Sequence, residues 1–221
     1  MFQTFTAPRD LRRLYNAVAP RWHNKIASLG YTDAYRVAIA AFIPKCRRPI
    51  RVMDVGCGAG SFAQAFAQER GRIEVLTLAD PAVDMLHEAE ARLANDAGDV
   101  VLLNRTIAEL PNFPSQDVIL CAHVLDHCAD PVRALHALGQ ALAPGGAIVL
   151  IVTKPHWCNW LMWPTWRHKS YRPSAIHEAV VAAGLTCPRD MGFAKGAPNR
   201  TSHAYLVTLT QPEICYAYCH R

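Results

Sequence analysis

A carboxylate set directly before alternating glycines is a place to hold a cationic ligand. In Asp54-Val55-Gly56-Cys57-Gly58-Ala59-Gly60 the glycines let the backbone turn sharply and leave room for a ligand to lie against it. The loop follows a short apolar run and opens an alanine-rich stretch, the place where α/β proteins bind nucleotides. The dinucleotide pattern G-x-G-x-x-G/A fits it imperfectly, because Ser61 stands where the third glycine belongs. Asp54 would also repel a pyrophosphate. S-adenosylmethionine carries an ammonium and a sulfonium, so charge complementarity favours it over a nicotinamide dinucleotide. Asp80, twenty residues beyond Gly60 and followed by Pro81, is placed to accept both hydroxyls of a ribose. It can equally cap the helix that starts after Pro81.

A sulfonium methyl is already activated. A protein using it has to align a nucleophile and exclude water, and needs a base only when the nucleophile must lose a proton. The candidate groups are His123, Asp126 and His127; on a helical turn His123 shares one face with Asp126 or with His127. His123 can act as the base, since histidine titrates near neutrality. It can also simply pack beside the cofactor, with Asp126 capping the next segment. Tyr15 and His23 lie on an N-terminal helix pair, where Tyr15 either lines a lid or packs an amphipathic helix on the body of the protein.

The elements that must position these groups follow from hydrophobic spacing. Leu11, Leu14, Val18, Trp22 and Ile26 recur at helical intervals over residues 10–29, with Pro20 as a kink or break. A second helix is predicted over Thr32–Ile43, and Pro44 and Pro49 bracket a linker. Strands are predicted at 50–55, 73–79, 100–103 (buried), 117–122 and 147–152, with helices at 61–69, 83–93 and 174–183. Another helix, through Val132, Leu135, Leu138 and Leu142, should end at Pro144-Gly145-Gly146. The region of Cys187 and the stretch 204–209 complete the sheet. Strands alternating with helices predict a mostly parallel sheet covered on both faces.

Five blocks in order, 54–60, Asp80, Ala108-Glu109-Leu110-Pro111, 117–127 and Leu142-Ala-Pro-Gly-Gly146, resemble the class I S-adenosylmethionine-dependent methyltransferases of the methyltransferase-11 type. The likeness runs from about Arg51 to Val152. It implies a Rossmann-like α/β fold: a seven-stranded sheet with its last strand antiparallel, helices on both faces and an N-terminal helical lid. One domain is expected, with a lid over 1–48, a cofactor-binding core over 49–153 and substrate-side elements over 154–221. The resemblance implies that Asp54 and the Gly56, Cys57 and Gly58 backbone meet the methionine moiety, and Asp80 with Pro81 the ribose. Thr106 and Ile107 fall at the adenine edge, and Cys121 to His123 beside the methionine end. Family members often carry an acid where Thr106 stands, so threonine or the Ile107 backbone must take the adenine amino group. The segment 123–127 is similar to a Glu-x-x-Glu-His stretch of ubiquinone-biosynthesis O-methyltransferases, which raises a divalent metal on His123, Asp126 and His127. Capping acids and histidines are frequent at that point of the fold, and no metal is assigned.

Composition bounds the rest. Of 221 residues, 51% are hydrophobic and 19% charged, a globular balance suited to one large domain. No apolar run approaches the roughly 18 residues of a membrane span, and the first ten residues do not read as a secretory signal. The eight cysteines, several within predicted strands, suggest reduced thiols and a cytoplasmic setting. Cys215, Cys219 and His220 lack the fourth ligand of a zinc site. A net charge of +5 is too mild to demand nucleic acid. Four of the five tryptophans fall in Trp157–Trp166, a candidate pocket for an aromatic, cationic or lipid-like substrate, or a core segment. The expected activity is methyl transfer from S-adenosylmethionine to an oxygen or nitrogen of a small or medium-sized organic molecule. Alternatives are a tRNA methyltransferase, a nicotinamide-dependent oxidoreductase and a non-catalytic cofactor-binding protein.

Overall fold

The computed structural model describes residues 9–45, 50–71, 73–110, 115–157 and 169–210. Two helices come first, α1 (Arg9–Ser28) and α2 (Tyr31–Phe42). The alternating unit follows: β1 (Ile50–Val55), α3 (Ser61–Arg70), β2 (Ile73–Ala79), α4 (Val83–Leu93) and β3 (Ala97–Leu103). It continues through β4 (Gln116–Ala122), α5 (Pro131–Gln140) and β5 (Leu142–Thr153). The chain then forms α6 (Pro173–Ala182), β6 (Leu185–Gly192), α7 (Gly196–Thr201) and β7 (Ser202–Leu209). The sheet has seven strands in the order β3-β2-β1-β4-β5-β7-β6. β7 runs antiparallel between β5 and β6, and the β3-to-β5 ladders are parallel.

Strand alternation divides the core between the two faces. Val52, Val118, Leu120, Val149 and Ile151 pack with α2, α3 and α4. Met53, Ile119, Cys121, Ile148 and Leu150 pack with α5 and α6. The reversal of strand order between β1 and β4 opens a crevice at their C-terminal ends, where ligands bind in open α/β sheets.

Three local expectations are corrected or narrowed, and one element was not expected. Of the two readings of Pro20, kink or break, the break does not occur: the first helix continues through it from Arg9 to Ser28. The strand containing residues 100–103 is not buried, because β3 is the sheet's edge and half of it faces solvent. Pro144-Gly145-Gly146 does not end a helix. The helix stops at Gln140, and these residues lie in the opening of β5. The short α7 had no hydrophobic spacing to announce it.

Candidate functional site

The glycine loop is tied down by β2. The backbone N–H groups of Gly56 and Cys57 both donate to the Ala79 carbonyl, at 2.7 and 3.1 Å. Gly56 has φ 65, and a Cβ there would stand 2.2 Å from Val124 Cγ2, so only glycine lets the loop pass under the segment after β4. Gly60, at φ 78, turns the chain into α3, and a Cβ would meet Leu93 at 2.8 Å and the Ala89 backbone at 3.1 Å. Gly60→Ala is therefore expected to cost about 2 kcal/mol of stability, read as a lower urea midpoint with an unchanged slope.

Both aspartates are buried at this loop. Asp54 is 1% exposed, and its Oδ2 accepts the Ala63 N–H at 3.1 Å. Burial pushes its carboxyl up to about 8, with the nearby Asp80 charge adding to the shift. Asp80 accepts from Gly58 N–H (3.0 Å) and Ala82 N–H (2.8 Å), and burial raises its carboxyl to about 6. The Ala82 bond is the capping interaction expected as one alternative for Asp80, and the Gly58 bond binds the same carboxylate to the glycine loop.

The two carboxylates line a cavity of about 850 Å3. Its walls include Gly56, Cys57, Gly58 and Pro81 on one side, Thr106 and Ile107 beside them, and His123 and His127 beyond. α1 contributes Tyr15, Trp22 and Lys25. That helix is latched at two points. The Tyr15 hydroxyl meets His127 Nε2 at 3.2 Å, and His23 Nδ1 meets the Ser61 hydroxyl at 2.8 Å. Burial raises the Tyr15 phenol far above its ordinary range, so it stays protonated.

His123 is the one non-glycine residue with positive φ among the described residues, at 60°. Such a conformation costs a histidine roughly 1–2 kcal/mol. Its Nδ1 lies 3.1 Å from Asp126 Oδ2 and 3.0 Å from the Thr153 hydroxyl. Asp126 has no exposed surface, and accepts from both the Thr153 backbone N–H (3.2 Å) and the Thr153 hydroxyl. A carboxylate on Nδ1 selects the tautomer with the proton there and the lone pair on Nε2. Nε2 is buried and has no hydrogen-bond partner among the described residues.

A family model described as a methyltransferase domain matches residues 30–188. The chain belongs to the methyltransferase-domain family. Ubiquinone biosynthesis O-methyltransferase of Salmonella enteritidis is 30% identical over 114 residues, 51% of this chain and 46% of that protein. The chain thus spans about half the length of the curated relatives it matches. Among solved structures, a chain from the complex of the Trm112 methyltransferase activator with a methyltransferase of Haloferax volcanii has a TM-score of 0.74 at 18% identity, covering 90% of this chain and 96% of that one. Magnesium protoporphyrin IX methyltransferase of Synechocystis, solved with bound S-adenosylhomocysteine, has a TM-score of 0.59 at 14% identity, covering 95% of this chain and 90% of that one. At these identities the structures speak for the fold.

Two site expectations of this methyltransferase domain are corrected by strand and side-chain direction. The Cys121 side chain points away from the cavity, into the layer of Ile119 and Leu150 under α5, and burial raises its thiol well above the usual range. Asp126 also stays out of the cavity wall, behind His123, whose Nδ1 it meets. Asp126 meets His123 and Thr153, but His127 turns away to Tyr15, so the three do not converge on one point. Among the described residues no group of three histidine, cysteine or acidic side chains is placed to hold a metal.

Thr106 donates its hydroxyl (2.8 Å) and backbone N–H (2.9 Å) to Glu109 Oε2, and these bonds hold the Glu109 carboxyl below its usual range. This pair was not expected from the sequence, although the Thr-x-x-Glu spacing of a capping box is a signal that could have found it. Thr153 and Trp22 carried no comparable signal, since a threonine ending a strand and a tryptophan on a helix are ordinary. Trp157 is 71% exposed, and the rest of the tryptophan segment, residues 158–168, lies outside the described residues, as do Cys215, Cys219 and His220.

Proposed function

We propose that this chain transfers the methyl group of S-adenosylmethionine to a hydroxyl of a small or medium-sized organic acceptor. The observation that carries the reading is the pair of buried, upshifted carboxylates, Asp54 and Asp80, around a cavity-lining glycine turn. Their hydrogen-bond partners are backbone N–H groups, and burial favours their protonated form until a cationic ligand draws them into the ionised one. The residues fit the cofactor: Asp54 would face the cationic methionine moiety, Asp80 has lone pairs left that would accept from ribose hydroxyls, and Thr106 and Ile107 would border the adenine. S-adenosylmethionine supplies, when bound, a methyl on a positively charged sulfur.

The chain's own residues supply the rest. α1, latched through Tyr15 and His23, serves as a lid that excludes water. His123 takes the proton of the acceptor hydroxyl on Nε2, while Asp126 and Thr153 hold the ring in the receptive tautomer. The balanced outcome is a methylated oxygen, a neutral thioether cofactor and one proton carried by His123. The O-methyltransferase name of the Salmonella relatives favours a hydroxyl over a nitrogen acceptor. A reducing, cytoplasmic setting fits Cys57, Cys121, Cys128 and Cys187, which are all free thiols. No helix among the described residues is long and apolar enough to cross a membrane.

Calorimetric titration of the full chain with S-adenosylhomocysteine and, separately, NADH tests the cofactor. Saturable binding of the first and none of the second is expected. The reverse would make the loop an atypical dinucleotide site and end the methyl-transfer reading.

A further inference from the structure

We propose that the methyl acceptor is an organic anion, and that Lys169 and Arg200 hold its negative group at the His123 end of the cavity. The inference rests on the methyl-transfer reading. It starts from how charge is divided along the sheet. Asp54 and Asp80 sit at the ends of β1 and β2, on one side of the crevice. His123 and Thr153 sit at the ends of β4 and β5, on the other. Lys169 and Arg200 line the same cavity and belong to that second side.

Two chains of contacts place them there. The Lys169 backbone N–H donates to the Asp126 carbonyl at 2.9 Å, and the Asp126 side chain holds His123. Arg200 precedes Thr201, whose carbonyl accepts from Lys154 N–H at 2.8 Å and whose hydroxyl meets the Tyr31 hydroxyl at 2.9 Å. The Tyr31 ring in turn stands edge-on to His123, with centroids 5.4 Å apart.

Neither cation is neutralised. The Lys169 ammonium donates to the carbonyls of Cys128 (2.8 Å) and Ala129 (3.3 Å), which aim it without cancelling its charge. Among the described residues no carboxylate lies within ion-pair distance of Lys169 or Arg200. Arg12 and Arg105, at the other end, sit in the field of Glu109 instead. The cavity holds the buried carboxylates Asp54 and Asp80 at one end and Lys169 and Arg200 at the other, where the wall carboxylate Asp130 is engaged in capping α5 through the Arg133 N–H at 3.1 Å; that division suits two ligands of opposite charge. The cofactor answers the first. A carboxylate or phosphate on the acceptor answers the second, with arginine giving a planar fork and lysine a point charge. Tyr31 and Tyr35 line the space between, which favours a planar body. An acceptor anchored this way presents its hydroxyl to His123 without relying on the weak grip of the hydroxyl itself.

The test uses the full chain saturated with S-adenosylhomocysteine and three probes: 4-hydroxybenzoate, its methyl ester, and inorganic phosphate. Binding is followed by ligand-observed NMR in the wild type and in the Lys169→Gln/Arg200→Gln double variant, with cofactor affinity measured calorimetrically in both. The acid and phosphate are expected to bind, and the ester about tenfold more weakly than the acid. The double variant should lose about tenfold for the acid and keep its affinity for S-adenosylhomocysteine. Equal binding of acid and ester, no binding of either anion, or an undiminished acid affinity in the double variant overturns the inference while the cofactor reading stands. Absence of S-adenosylhomocysteine binding in the wild type overturns both together.

Discussion

Asp80→Ala is expected to weaken S-adenosylhomocysteine binding by about a hundredfold at pH 8, with the fold retained by circular dichroism. Two hydrogen bonds from ribose hydroxyls to a charged acceptor are each worth roughly 1.5–3 kcal/mol. The variant also frees the Gly58 N–H, which Asp80 now holds at 3.0 Å, so the loop loses its anchor as the ligand loses its partner. Asp80→Asn keeps one acceptor oxygen and should fall between the two. An affinity unchanged in both variants would mean that Asp80 is only the cap of α4, seen in its bond to Ala82.

The same two carboxylates set a pH dependence with opposite signs for affinity and stability. In the folded apoprotein Asp54 titrates at about 8 and Asp80 at about 6, both far above an unfolded aspartate near 3.8. Between about pH 4 and these values the folded state binds more protons than the unfolded one, so the apoprotein loses stability as pH rises through about 6 and then about 8. A cationic ligand prefers the ionised carboxylates and must expel their protons. Cofactor affinity is therefore expected to rise between pH 6 and pH 8 while the melting temperature of the apoprotein falls.

Much of this site was legible in the sequence because it is local. Asp54, the glycine turn and Asp80 are fixed by strand ends and the short connections that follow them, and the structure puts them around one cavity. β1 and β4, buried on both faces, read as short apolar runs, and their expected bounds lie within a residue of the observed ones. What stayed hidden depends on contacts far apart in the chain. Thr153 meets Asp126 from 27 residues away, and Tyr15 meets His127 from 112. The direction of Cys121 turns on the parity of β4, which the apolar run 117–122 does not reveal, because both of its faces are buried. β3 looked buried for the related reason that a short apolar run reads alike at an edge and in the middle of a sheet.

His123→Asn is expected to lower kcat for a hydroxyl acceptor by roughly a hundred- to ten-thousandfold, with cofactor affinity changed by no more than a few-fold. Asparagine tolerates positive φ, so the turn at 60° survives and the loss reads the imidazole rather than the backbone. The pairing explains why a strained histidine is kept. Its Nδ1 is occupied by Asp126 and Thr153, and its Nε2 is buried at the cavity wall with no hydrogen-bond partner among the described residues. An unpaired buried nitrogen costs about 1–3 kcal/mol, which an acceptor hydroxyl would recover on binding. Thr153→Val removes one of the two Thr153 donors to Asp126 and leaves the base itself in place. It should lower kcat about tenfold and displace the ascending limb of the pH–rate profile, a shift that a purely structural threonine would not cause. The deciding comparison is a series of phenolic acceptors of falling pKa. A phenol already ionised at the assay pH has no proton to surrender, so the deficit of His123→Asn should shrink along the series. A deficit that stays constant would make His123 a wall of the pocket rather than its base.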